Sequence, residues 1–146
     1  MCIRVLIADD QPRARRSLKA LLTAVRWSTP SHAGQPTPAG FWPVEVVGEA
    51  EDGPQAVEQV RALHPDVVVM DLQLHTESTP EPRPDGMATI QTIKSRWPAI
   101  RIVVLTMYAT DRASVLAAGA DAFLLKGCPT RDLLDAMTAG LANGFA

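Results

Sequence analysis

The sequence predicts a doubly wound α/β domain: a parallel sheet of five strands in the order 2-1-3-4-5 with helices on both faces. Three observations carry this. Five short apolar runs alternate with five segments of helical periodicity, the pattern of strand, crossover helix and parallel strand. The runs are apolar at nearly every position, as strands covered from two sides must be. Four of the five stop at Asp, Thr or Lys, so polar groups gather where the strands end.

Each element follows from local spacing. Ile3 to Ala8 (IRVLIA) is the first strand, ending at Asp9 and Asp10. Helical spacing then takes over. Leu18, Leu21, Leu22 and Val25 form an inward stripe, Arg13, Arg15, Arg16, Lys19 and Arg26 are available for solvent, and Pro12 suits a first turn. Val44 to Glu49 reads as the second strand, and Asp52-Gly53-Pro54 turns into a helix with Ala56, Val57, Val60 and Leu63 inward, closed by Pro65. Val67 to Met70 is a β-branched strand ending at Asp71. Met87, Ile90, Ile93 and Trp97 mark the third helix, which Pro98 stops. Ile100 to Thr106 is the fourth strand, Asp111 to Ala118 a short helix, and Ala122 to Leu125 the fifth strand, ending at Lys126. Pro129 opens a last helix with Leu133, Leu134, Met137 and Leu141 inward.

The 146 residues suit one domain spanning 1–146, able to bury roughly two thirds of the surface of its unfolded chain. Fourteen basic and sixteen acidic side chains, a balance of −2, argue against a nucleic-acid-binding arm. No apolar run approaches the roughly 20 residues of a membrane span, and MCIRVLIADD meets charge too early for a secretory signal. A cytoplasmic protein without membrane contact is expected. Cys2 and Cys128 make neither a disulfide framework nor a metal knuckle. Seven of the twelve prolines fall in Ser28 to Pro43 and Thr76 to Pro84. These read as loop insertions at about 28–43 and 76–84 rather than linkers, because the residues before Ser28 are too few to fold alone.

Open parallel sheets bind ligands beyond the carboxyl ends of their strands, where the winding reverses. Asp9, Asp10, Asp71, Thr106 and Lys126 all fall there. With the first and third strands adjacent, three carboxylates converge, and like charges so close oppose one another's ionisation unless a cation joins them. A hard divalent ion such as Mg2+, or Mn2+, fits an all-oxygen site without His or Cys. Asp71 sits centrally, and an aspartate carboxylate can accept a phosphoryl group as an acyl phosphate. Lys126 and the Thr106 hydroxyl can then partner its oxygens.

The set LIADDQ, VVVMDLQL, VVLTMY and AFLLK, in this order and at strand ends, resembles the receiver domain of two-component response regulators, the CheY-like form of the flavodoxin-like fold. VVGEAEDGPQAV, VLTMYATD and AGADAFLLKG are most similar to the receivers of NarL/LuxR-type transcriptional regulators. The resemblance implies that Asp71 is phosphorylated by a sensor histidine kinase. It implies that Asp10, Asp71 and the backbone carbonyl of Gln73 bind Mg2+ directly, with Asp9 acting through water. It makes Thr106 and Lys126 the pair that senses the phosphoryl group and Phe123 an aromatic whose rotamer follows the switch. Gln73 and Tyr108, each two residues beyond a site residue, flank the phosphoryl position and tune hydrolysis. A homodimer on activation is a further implication. DNA contact is expected only through an output domain beyond Ala146. Leu74 and His75 replace the family's Met-Pro, and the following loop is longer than usual.

Two rivals use the same scaffold. A haloacid-dehalogenase-type aspartyl-phosphate phosphatase needs a second Asp two residues after the nucleophile, and position 73 is Gln. A phosphorylation-independent interaction module has no use for all five site residues. A signalling switch rather than a turnover enzyme is therefore expected. Singly, the residues have plainer readings: Asp9 and Asp10 suit a helix start, Lys126 a strand end, Phe123 a sheet position, and Trp27, Phe41, Trp42 and Trp97 ordinary packing.

Overall fold

The computed structural model describes residues 3–28, 44–72, 85–107 and 112–144. Among them lie five strands and five helices in strict alternation: β1 (Ile3–Ala8), α1 (Pro12–Ser28), β2 (Val44–Ala50), α2 (Gly53–Leu63), β3 (Val67–Met70), α3 (Asp85–Arg96), β4 (Arg101–Thr106), α4 (Arg112–Ala118), β5 (Ala122–Leu125) and α5 (Thr130–Gly144). All four strand pairings are parallel and the order is β2-β1-β3-β4-β5, as the alternation and the strand-end residues predict. The Pro-rich stretches at 29–43 and 76–84, with Cys2, Phe41 and Trp42, lie outside the described residues, as do the side chains of Val25, Trp27 and Leu141.

The strands are apolar throughout because successive side chains point to opposite faces and both faces are covered. Leu6 and Ala8 of β1, Val68 and Met70 of β3, and Ile102 and Val104 of β4 face α2, α3 and α4, where they meet Ala56, Val60, Ile90, Ile93 and Val115. The alternate residues Val5, Ile7, Val67, Val69 and Val103 face α1 and α5 and meet Leu22, Leu133, Leu134 and Met137. Each fully buried Leu, Ile or Val in these layers contributes about 1.5–3 kcal/mol of transfer free energy.

Local chemistry sets the helix ends. Asp52 caps α2, its side chain accepting from the Gln55 N–H at 2.8 Å, with Pro54 in the first turn where a missing N–H costs nothing. His64 closes the helix in the left-handed region at φ 47°, donating its backbone N–H to the Val60 carbonyl at 2.9 Å.

Two sequence readings of α1 are corrected. Leu21, placed on the inward stripe, is 37% exposed, whereas Leu22 is fully buried. Among the described side chains of α1, Leu22 joins the core layer and Leu18 packs against it. Arg15, placed on the solvent face, turns inward, and its side chain is 11% exposed. It sits three residues before Leu18 and seven before Leu22, so it occupies the stripe itself.

Candidate functional site

The site is built by continuing the sheet ladder past its apolar segments. The Asp9 N–H donates to the Ala50 carbonyl at 3.0 Å, and the Asp71 N–H donates to the Ala8 carbonyl at 2.9 Å. These bonds carry β1 and β3 one residue further in register and set Asp9 and Asp71 side by side. Both are buried, 6% and 7% exposed, while Asp10 is half-buried. Ligand-capable oxygens of Asp9, Asp10 and Asp71 all lie within 4.8 Å of one another.

Lys126 enters from two strands away. Its backbone N–H donates to the Thr106 carbonyl at 2.7 Å, which ties the end of β5 to the end of β4. Its Nζ lies 3.0 Å from Asp9 Oδ2 and 2.8 Å from Asp71 Oδ2, donating to both. Burial alone would lower the Lys126 pKa, but hydrogen bonds to Asp71 and Asp9, with the charge of both, outweigh it and hold the ammonium above its usual value. One cation against three clustered carboxylates leaves a net negative pocket.

Asp9 also accepts the Gln11 N–H on Oδ1 at 2.9 Å, just ahead of α1, so the plain helix-start reading and the site reading hold at one residue through different oxygens. Thr106, 1% exposed, ends β4 beside the acidic cluster. Phe123, three residues before Lys126, packs into the core layer under α3 and α4. Gln73 and Tyr108, expected to flank the site, and His75 lie outside the described residues. Gly127, directly after Lys126, adopts φ +90°, in the left-handed region that favours glycine.

Gly86, at the start of α3, passes close to the strand end that carries Asp71. A Cβ there would lie 2.2 Å from the Leu72 carbonyl oxygen, so only glycine permits this approach.

The residue that sequence reasoning missed is Arg15. Its Nη1 donates to the Asp9 backbone carbonyl at 2.7 Å, and the rest of the guanidinium faces Glu49 and Glu51. The available signal was its place on the apolar stripe of α1, where a charged residue needs a partner within the fold.

Comparison with known proteins agrees with this geometry. A family model described as the response regulator receiver domain matches residues 42–138. The chain belongs to the response regulator receiver family. The matched stretch runs from the residues just before β2 into α5 and leaves out β1, although β1 pairs with both β2 and β3. The first Pro-rich stretch separates β1 and α1 from the remainder of the sequence.

Among curated relatives, the response regulator protein VraR of Staphylococcus aureus is 30% identical over 139 residues, covering 94% of this chain and 56% of the relative. The chain thus spans just over half the length of the curated relatives it matches. Among solved structures, a LuxR-family two-component response regulator from an Aurantimonas species superposes with a TM-score of 0.72 at 27% identity, covering 98% of this chain and 87% of that one. The isolated receiver of RcsB from Salmonella enterica serovar Typhimurium, solved with a phosphomimetic beryllofluoride, gives 0.70 at 25% identity over 99% of this receiver and 91% of that chain. Among the described residues, no helix is long and apolar enough to cross a membrane.

Proposed function

We propose that residues 1–146 form one phosphoacceptor switch, with insertions at about 28–43 and 76–84, that takes a phosphoryl group onto Asp71 from a sensor histidine kinase in the cytoplasm. The observation that carries this reading is the Lys126 ammonium shared between Asp9 and Asp71 within a three-carboxylate cluster. The donor set is all oxygen, dense and net negative, which fits Mg2+ or Mn2+. Asp10, Asp71 and the Gln73 carbonyl would hold the ion directly and Asp9 through water. When bound, the ion supplies positive charge to the transferring phosphoryl oxygens.

The residues do the remainder. A carboxylate oxygen of Asp71 bonds to phosphorus as the bond from phosphorus to the donor nitrogen breaks, the electron pair leaving with the donor imidazole, and an acyl phosphate results. Lys126 pairs with one phosphoryl oxygen and the Thr106 hydroxyl donates to another. Drawing these two inward biases an equilibrium between two conformations, and the Phe123 rotamer follows. Gln73 and Tyr108 govern water access and so the lifetime of the phosphorylated form. The protein is a switch without turnover of substrate, homodimerising on activation and controlling either a partner or an output domain, with transcription and DNA contact belonging to the second case.

Exposure to acetyl phosphate with Mg2+, followed by intact mass measurement, tests the assignment. One added phosphoryl group is expected in the parent protein and none in Asp71→Asn. Retention of the added mass in Asp71→Asn would sink it, and steady release of phosphate from phosphomonoesters would favour the phosphatase reading instead.

A further inference from the structure

We infer that Arg15 is a positioning residue for the metal-binding acid pair: its guanidinium fixes the peptide that joins Asp9 to Asp10. The inference rests on the reading of Asp9, Asp10 and Asp71 as metal ligands.

Asp9 is held at every polar atom. Its N–H donates to the Ala50 carbonyl at 3.0 Å, Oδ1 accepts from the Gln11 N–H at 2.9 Å, and Oδ2 accepts from Lys126 at 3.0 Å. Its carbonyl oxygen lies beyond the last paired residue of β1 and accepts from Arg15 Nη1 at 2.7 Å. That oxygen belongs to the Asp9–Asp10 peptide, so its direction sets the plane from which Asp10 departs. A side chain of α1 thus helps to set where the second acid points.

The guanidinium is itself fixed. Nε lies 3.6 Å from Glu49 Oε1 and Nη2 lies 3.5 Å from Glu51 Oε1, both at the end of β2. A planar fork can serve a carbonyl and two carboxylates at once, where an ammonium on a flexible stem cannot hold the same geometry. Lys19 completes the group, with Nζ 3.6 Å from Glu49 Oε2. The contact to the Asp9 carbonyl, shorter than these ion-pair contacts, is what ties α1 to the acid pair. Groups that orient metal ligands from outside the coordination shell commonly alter metal affinity by roughly ten- to a hundredfold when removed.

Charge and positioning predict opposite outcomes. Removing a cation beside a negative pocket should tighten binding of a divalent ion, whereas loosening the Asp9–Asp10 peptide should weaken it. Calorimetric titration of Mg2+ separates the two, with circular dichroism reporting the fold. For Arg15→Gln we expect affinity to fall about tenfold or more, with Arg15→Lys intermediate. The double variant Glu49→Gln/Glu51→Gln, which keeps the carbonyl contact, should bind within a few-fold of the parent. Mg2+ affinity in Arg15→Gln equal to or above the parent's would overturn the positioning role while leaving the metal site intact. Should Arg15→Gln not fold, Arg15→Lys decides: weaker binding supports the inference and unchanged binding refutes it. A parent protein that fails to bind Mg2+, or an Asp10→Asn variant that binds it undiminished, would remove the metal reading and the role of Arg15 together.

Discussion

Lys126 and Asp71, 55 positions apart, are joined by a 2.8 Å hydrogen bond between Nζ and Oδ2. The lysine leaves the end of β5 and the aspartate the end of β3, so the contact reaches over β4, which lies between them. One ammonium therefore bridges two buried carboxylates whose like charges repel at close range.

Replacing Lys126 by alanine should destabilise the metal-free protein by about 1–3 kcal/mol, the usual cost of taking a charged donor away from buried carboxylates. Added Mg2+ should restore more stability to the variant than to the parent, because a cation that binds only the folded state stabilises it by mass action. Thermal unfolding with and without Mg2+ measures both. An equal gain in the two proteins would show that ion and lysine do not serve the same carboxylates.

Gly86→Ala should cost about 1–3 kcal/mol and slow phosphorylation, since the added methyl meets the Leu72 carbonyl oxygen and backbone must move to admit it. Leu72 adjoins Asp71, so the displacement reaches the acceptor. Chemical denaturation and the initial rate of mass gain with acetyl phosphate test this. A variant with parental rate and stability would show that the start of α3 can shift without disturbing β3.

Cys128 offers a pH test. Burial pushes its thiol up from 9.0 and the nearby Asp132 charge adds to this, against a smaller opposing backbone hydrogen bond. The folded state thus favours the protonated thiol. The associated stability is fully present below pH 9.0 and is lost as pH rises through the higher folded value. In a Cys2→Ser background, alkylation by iodoacetamide at pH 8 should be slower for the folded protein than in denaturant, and Asp132→Asn should speed it. Reaction of the folded protein at the denatured rate would contradict the shift.

Most of the fold is written in the sequence because parallel strands buried on both faces must be apolar and then stop. Asp71 and Lys126 could be found as the residues at which Val67–Met70 and Ala122–Leu125 give out. The strand order is not written in the spacing; once 2-1-3-4-5 is taken, the acids of β1 and β3 come together, and the structure has that order. Arg15 escaped because a charge on a helix reads as solvated unless its place on the stripe outweighs its type. Leu21 misled for the converse reason: an apolar type does not bury a position whose helix touches the sheet along a narrow line. No periodicity could reveal the approach of Gly86 to Leu72, because it depends on how α3 meets β3 in space.

That approach also bears on the stretch of chain between Leu72 and Gly86. The chain departs from the sheet at Leu72 and has come back against the same carbonyl by Gly86, so two backbone points in contact bound everything between. Such a junction works like a closed port: its two sides are set by β3 and α3, not by the number of residues strung between them. In sequence, the tract carrying Pro80, Pro82 and Pro84 falls between those two points. A change in the length of that tract is therefore expected to leave Asp71 where β3 puts it, a position fixed by the bond from its N–H to the Ala8 carbonyl.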